Sequence, residues 1–145
     1  MRVILDTSTI LSFLLSRAKN NTREIIKLAK QEKIQLLTCK ESFTELQRTI
    51  ASDHVKKTKN YDPRFIGSFI AWYKYHTTSI SLTEIKISTR LRDLKDNMYI
   101  QLAYKTHADY LISGDKDLLV LKNVDKTKIT TPNQFIKNIE SNKKN

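Results

Sequence analysis

Carboxylates follow two apolar runs of this sequence. Asp6 comes directly after RVIL at residues 2–5, and Asp115 and Asp117 come shortly after YLIS at residues 110–113. Unbroken apolar runs of this length predict strands that are buried on both faces of a sheet. Since ligands of open α/β sheets bind beyond the carboxyl ends of the strands, we expect Asp6 and Asp115 to face one crevice.

Two further acids are candidates for the same crevice. Glu45 lies about a turn and a half into the helix predicted after the second strand, and Asp96 opens the helix that precedes YLIS. Each acid also has an ordinary structural interpretation that is at least as frequent when it is taken singly. These are a helix N-cap for Asp6 and for Asp93 or Asp96, a solvated acid for Glu45, and turn residues for Asp115 and Asp117.

The four acids together predict a cation. Carboxylates that meet at one end of a sheet repel one another, which raises their pKa values and costs stability. A divalent ion removes that repulsion. Without an accompanying Cys or His cluster, such a site suits a hard, oxygen-loving ion, namely Mg²⁺ or Mn²⁺.

The composition points to an anionic partner. The chain has 145 residues, with 26 Lys and Arg against 15 Asp and Glu, which gives a formal net charge of +11. Such an excess attracts polyanions, nucleic acid above all, although a Lys-rich surface can also be a general property of the host's proteins. Cys39 is the only cysteine, so no internal disulfide forms, and a reducing cytoplasm is expected. The apolar stretch at residues 10–15 is too short to span a bilayer, so no membrane segment is expected.

The elements that must position these residues alternate between strands and helices. This order predicts a parallel sheet that is covered by helices on both faces. We expect one domain over residues 1–140 and a disordered tail at 141–145. The predicted strands are 2–5, 34–39, 79–87, 110–113 and 128–130, and the predicted helices are 10–15 (capped by Thr7, Ser8 and Thr9), 21–33, one after 39 with Phe43, Leu46 and Ile50 inside, 63–75, 96–108 with Ile100, Ala103 and His107 on one side, and one from 132.

Four segments together resemble one known family, the PIN-domain ribonucleases, and in particular its VapC-like group, the toxin components of bacterial and archaeal toxin–antitoxin systems. The segments are VILDTSTILS at 3–12, FTEL at 43–46, RDLKDNMYIQLA at 92–103 and LISGDKDLL at 111–119. They occur in the family's order and span nearly the whole chain. The pair RDLKDN and SGDKDLL is specific, whereas any one segment alone is weak.

The resemblance implies a three-layer α/β/α PIN-like fold and a metal-dependent endoribonuclease with one or two Mg²⁺ or Mn²⁺ ions per site. It also implies RNA as substrate, a small antitoxin that blocks the site, and frequent homodimers. Carried onto this chain, the catalytic and metal-binding acids are Asp6, Glu45, Asp96 and Asp115, with Asp117 as a less constant metal ligand, and the supporting residues are Thr7, Ser113, Asn97 and Asp93.

One departure from the family pattern concerns the support of the site. The family commonly has Asn where this chain has Ser8, so an amide is replaced by a hydroxyl, which is expected to loosen the support without removing a ligand. Between Asp93 and Asp96 we favour Asp96 as the ligand, because the first turn of a helix favours a carboxylate.

Tyr99 and Tyr104 are interpreted as packing residues first and as base-stacking residues second. Candidate RNA-binding cations are Lys56, Lys57, Lys59, Arg90, Arg92 and Lys95.

Two alternatives to the nuclease remain open. One is an inactive, RNA-binding PIN-like module, against which the presence of all four acids argues. The other is a phosphatase or phosphoacceptor domain, since both also place an Asp after the first strand. A phosphatase of the haloacid dehalogenase type would have a second Asp two residues later, where this chain has Ser8.

Overall fold

In the part of the chain that the structure describes, the fold is built around a sheet of six strands. The computed structural model describes residues 1–16, 20–82 and 94–143, and in the helix from Leu94 it describes side chains from Met98 onward. In chain order the elements are β1 (Arg2–Leu5), α1 (Thr7–Leu15), α2 (Asn21–Lys30), β2 (Gln35–Thr38), α3 (Lys40–Ile50), α4 (Asp53–Lys56), α5 (Pro63–His76), β3 (Thr78–Ser79), α6 (Leu94–Thr106), β4 (Tyr110–Ile112), α7 (Lys116–Leu119), β5 (Asn123–Val124), β6 (Thr127–Thr130) and α8 (Pro132–Lys143).

The sheet is parallel except at one edge. Its strand order is β3-β2-β1-β4-β6-β5, and only β5 pairs in the antiparallel direction, with β6. The predicted α/β class with a central parallel sheet is therefore confirmed. The β5–β6 hairpin was not predicted because no glycine marks it. Lys122 and Asp125 instead adopt positive φ angles of 62° and 52° there.

Helices cover both faces, so the molecule has three layers. On one face Val3 and Leu5 of β1 pack with α1, α2, α3, α5 and α8. On the other, Ile4 of the same strand packs with α6 and with Leu118 of α7. Successive strand residues point to opposite faces, so a strand between two helical layers needs an unbroken apolar run such as RVIL.

Several predicted boundaries differ from the structure. The first helix begins at Thr7 and is capped by Asp6, whose carboxylate accepts the Thr9 amide, rather than by residues 7–9. The second helix ends at Lys30, because the next residues turn into a left-handed C-terminal cap. The polar connection at 52–61 contains the short helix α4. Residues 141–143, which we predicted as part of a disordered tail, are helical. Of the strand predicted at 79–87, the structure has β3 at Thr78–Ser79, and residues 83–87 lie outside the described part.

The prediction for His107 is wrong. We expected it on the apolar side of a helix, but α6 ends at Thr106 and His107 follows with a φ of 51°. Its ring lies exposed, with Nδ1 2.9 Å from the Asp125 carboxylate. The left-handed backbone turns the side chain away from the helix face and toward the β5–β6 turn. Across the described residues, no helix combines the length and apolar character that a membrane crossing requires.

Candidate functional site

The register of the central strands brings the first site residues together. Leu5 of β1 lies opposite Ile112 of β4, so the next residues along these parallel strands, Asp6 and Ser113, are neighbours beyond the strand ends. The Asp6 amide still donates to the Ile112 carbonyl at 3.2 Å, which continues the pairing by one residue. The two apolar runs therefore deliver an acid and a hydroxyl to the same point of the carboxyl edge.

Asp6 is a buried carboxylate, only 4% exposed, that is held by three donors. Its Oδ1 accepts the Thr9 amide at 2.8 Å and the Ser8 hydroxyl at 2.9 Å. The Ser113 hydroxyl donates to Oδ2. Asp6 thus caps α1 and is also the acid that bonds Ser8 and Ser113 at the end of β1. The N-cap interpretation and the site interpretation of this residue are therefore compatible. Ser8, which we expected to loosen the support, braces Asp6 directly.

Ser113 connects Asp6 to the loop that carries Asp115. Its side chain is fully buried, and besides donating to Asp6 its Oγ accepts the Asp115 amide at 2.9 Å. Asp115 is half-buried and caps α7 by accepting the Asp117 amide at 2.9 Å. Asp117 is exposed. One serine hydroxyl therefore fixes the positions of two acids that are far apart in the sequence.

Glu45 joins the same region through hydroxyl groups. From α3, its Oε2 lies 3.2 Å from the Thr7 Oγ1 and 3.2 Å from the Tyr99 hydroxyl oxygen, within hydrogen-bond distance of both. Thr7 Oγ1 and the Tyr99 oxygen are 2.6 Å apart, and the Thr7 amide donates to the same phenol oxygen at 3.0 Å. Because Thr7 is the next residue after Asp6, Glu45 is linked to the carboxyl edge of β1.

Tyr99, which the sequence predicted to pack before it stacks on bases, also contacts the acids. Burial raises its pKa well above the usual value of 10.0; the hydrogen bond with the Thr7 hydroxyl lowers it in part, and the charges of Glu45 and then Asp6 raise it by less. The ring packs with the core beneath α6, and only the hydroxyl reaches the acids. One signal in the sequence could have indicated this role, namely the three-residue spacing between Asp96 and Tyr99, which places both positions on one side of a helix.

A recess of about 490 Å³ opens beside these residues. Three hydroxyl-bearing residues of the first turns of α1 line one side of it, and the loop after β4 and the start of α8 line the other. The lining residues are Ser8, Thr9, Ser12, Gly114, Asp115 and Pro132. The recess thus lies between the two segments that Ser113 ties together.

Several predicted site residues fall outside what the structure describes. Arg90, Arg92 and Asp93 belong to residues 83–93, and Lys95, Asp96 and Asn97 lie in the first turn of α6, where side chains are not described. Within residues 1–16, 20–82 and 98–143, no three acidic, His or Cys side chains are grouped closely enough to hold one metal ion.

Three of the predicted RNA-binding cations can be located. Lys56 ends α4, and Lys57 and Lys59 follow it in the turn that leads toward α5. All three are exposed. In the described part of the chain, no hydrogen bond or ion pair joins them to Asp6, Glu45 or Asp115.

Comparison with known proteins agrees with this architecture. The chain belongs to the PIN domain family, whose profile matches residues 2–117. Its fold is similar to that of a chain in the crystal structure of VapBC2 from Rickettsia felis bound to a DNA fragment from their promoter. The TM-score is 0.56 at 11% sequence identity, over 89% of this chain and 97% of that one. Comparison with curated proteins finds no match. The predicted family membership is thereby confirmed.

Proposed function

We propose that this protein is a metal-dependent endoribonuclease that cleaves RNA phosphodiester bonds. One observation carries the proposal. The buried carboxylate of Asp6 is tied through Ser113 to the loop of Asp115 and borders Thr7, which contacts Glu45, so hydroxyl groups link three acids from distant segments at one edge of the sheet. Asp6 and Asp115 also cap α1 and α7, but helix capping does not require that both lie at the same edge of the sheet as Glu45.

The donor set fits a hard divalent cation. Every candidate ligand is a carboxylate, the oxygen donor that Mg²⁺ and Mn²⁺ prefer. Asp6, Glu45 and Asp115 would hold the ion together with Asp96, which the start of α6 contributes and which the fold family uses in this position, and Asp117 is a further candidate. A bound ion of this kind lowers the pKa of a water molecule and neutralises charge on the scissile phosphate.

The protein's own groups position the acids and the substrate. Ser8, Ser113, Thr7 and Tyr99 hold Asp6 and Glu45 by hydrogen bonds, so the carboxylates need little rearrangement when they bind a ligand. The hydroxyl-lined recess next to Asp115 offers room for the strand beside the cut. Exposed lysines at 56, 57 and 59 and the remaining positive charge of the surface attract the phosphate backbone.

The cellular role that we propose is that of a cytoplasmic toxin whose partner is an antitoxin. Its support is the likeness of four sequence segments to VapC-like toxins and the fold shared with a chain of the VapBC2 complex. The antitoxin would occupy the carboxyl edge of the sheet and exclude RNA. The homodimer that the resemblance implies stays a prediction.

Labelled single-stranded RNA tests the proposal. We expect cleavage by the wild type with Mg²⁺ or Mn²⁺, none with EDTA, and a loss of at least about a hundredfold in Asp6→Asn and Asp96→Asn, because each removes a charged ligand. Asn can still accept the Thr9 amide in place of Asp6, so that variant keeps its helix cap.

Glu140→Gln is the matched control, since it neutralises an exposed acid on α8 and should leave cleavage unchanged. Circular dichroism verifies the fold of each variant. Equal cleavage by all variants, or cleavage that survives EDTA, would overturn the proposal.

A further inference from the structure

We propose that Tyr99 is a positioning residue, which acts with Thr7 to hold the Glu45 carboxylate in place at the site. The inference rests on the proposed function, because it assigns Tyr99 a role in preparing one of the candidate ligands. It adds a second role to the predicted packing role, which the burial of this tyrosine confirms. The observations that carry it are the hydrogen bonds among the three side chains.

Counting protons shows how the hydroxyls are arranged. Three oxygen contacts join Tyr99, Thr7 and Glu45, but only the two hydroxyl groups have protons to donate. The 2.6 Å contact between the hydroxyl oxygens needs one of them, because two lone pairs at that distance repel. The other proton is donated to Glu45 Oε2. The hydroxyls therefore form a short chain that ends on the carboxylate, in either of two directions.

A backbone amide also donates to this chain of hydroxyl groups. The Thr7 amide, in the first turn of α1, donates to the Tyr99 oxygen at 3.0 Å, which leaves that oxygen's own proton available for Thr7 or Glu45. The phenol thus supplies an acceptor to a helix N-terminus and, directly or through Thr7, a donor to an acid. A phenylalanine at this position would supply neither.

Glu45 needs such support because its side chain is long and only half-buried on α3. Among the described residues, both hydroxyl contacts to its carboxylate end on Oε2 and come from Thr7 and Tyr99, and one of the two hydroxyls donates to it at a time. Tyr99 has a fixed side-chain position, since it is only 4% exposed and packs among buried residues of α6 and the sheet. No described residue donates a hydrogen bond to Oε1, so this oxygen is available to a further ligand.

Tyr99→Phe separates positioning from packing. It keeps the ring in the core and removes the hydroxyl. We expect the Glu45 side chain of the metal-free protein to become more mobile by NMR relaxation of its methylene groups. We also expect the dissociation constant for Mn²⁺ to rise about 10–100-fold, and kcat for RNA cleavage to fall by a similar factor while KM stays within about twofold. Tyr110→Phe is the matched control, because Tyr110 is also buried and its hydroxyl bonds only Asn138 in the described part, away from the acids.

The Glu45→Gln background tests whether Tyr99 acts through Glu45. If it does, adding Tyr99→Phe to Glu45→Gln lowers kcat little further, whereas additive losses would overturn the inference. Unchanged Glu45 mobility and Mn²⁺ affinity in Tyr99→Phe would overturn it as well. If the wild type neither binds Mn²⁺ nor cleaves RNA, yet Tyr99→Phe still frees Glu45, the proposed function fails and the positioning stands.

A second pair of variants keeps the test valid if Tyr99→Phe does not fold. Thr7→Val has nearly the shape of threonine and removes the other hydroxyl of the chain, so it should free Glu45 in the same way. Thr7→Ser keeps a hydroxyl and should restore the wild-type mobility and affinity. A Thr7→Val protein with wild-type values for both would contradict the role of the hydroxyl chain.

Discussion

At the scale of single residues, hydroxyl groups hold the acids of this site. Ser8 and Ser113 donate hydrogen bonds to Asp6, and the hydroxyl groups of Thr7 and Tyr99 contact the Glu45 carboxylate. Each such bond replaces part of the hydration that a carboxylate loses when it is buried. A carboxylate fixed in this way is ordered before its ligand arrives.

Ser113 gives the residue-scale prediction. Ser113→Ala should lower the free energy of unfolding by about 1–3 kcal/mol, because it leaves a buried Asp6 oxygen and the Asp115 amide without their shared partner. Urea denaturation measures the change. The control is Ser12→Ala, at an exposed position of α1, which should shift stability by no more than about 0.5 kcal/mol. A loss as small as that for Ser113→Ala would show that the bridge is not stabilising.

At the scale of elements, the sequence predicted what hydrophobic patterns determine. Residues 3–5 and 110–112 place apolar side chains on both sides of the chain, and the structure has β1 and β4 there, with Asp6 next to Ser113 beyond their ends. The sequence did not predict the ends of those helices that lack the usual glycine at their C-terminus. The chain has only two glycines, so left-handed positions are filled by Glu32, His107, Lys122 and Asp125, which carry no sequence mark.

The end of α2 gives the element-scale prediction. Glu32 has a φ of 59°, its amide donates to the Ala29 carbonyl, and the Lys33 amide donates to that of Leu28, which is a Schellman cap without its usual glycine. Glu32→Gly should raise the free energy of unfolding by about 0.5–1 kcal/mol. Relief of the left-handed strain, about 1–2 kcal/mol, exceeds the added entropy of the unfolded chain.

Gln31→Gly is the matched control for this cap. Gln31 adjoins Glu32 but has an ordinary φ of −85°, so glycine there only adds entropy to the unfolded state and should destabilise. Thermal and urea unfolding of both variants compare the two positions. A destabilised Glu32→Gly protein would show that the side chain, rather than the backbone, decides stability at the cap.

At the scale of the whole molecule, the parallel sheet brings together groups that lie far apart in the chain. Thr7 and Tyr99 are separated by 92 residues, and Asp6 and Ser113 by 107. Strand order and register could be inferred for the second pair, since both residues follow strands. The first pair depends on how α6 packs against the sheet, which no local pattern determines. For that reason Tyr99 looked like a core residue in the sequence.

A buried thiol and a buried phenol outside the site should make the protein less stable at alkaline pH. Burial raises the pKa of the Cys39 thiol above its usual 9.0 and that of the Tyr73 phenol above its usual 10.0. Above pH 9 the unfolded chain releases these protons while the folded chain keeps them. The unfolded state then binds fewer protons, so the free energy of unfolding falls as pH rises.

The size of this effect can be measured against a variant that does not titrate. Each buried group should cost about 1.4 kcal/mol per pH unit above its unfolded pKa and below its folded one, starting near pH 9 with Cys39. Urea denaturation from pH 7 to 10.5 gives the slope. Cys39→Ser removes the thiol and retains a side chain that can accept the Ser42 amide, so α3 keeps its N-cap. Its stability should fall less steeply between pH 9 and 10.5, because every group other than Cys39 is present in both proteins and its contribution cancels in the comparison. Parallel curves would mean that Cys39 ionises as readily in the folded protein as in the unfolded chain, contrary to its burial beneath α3.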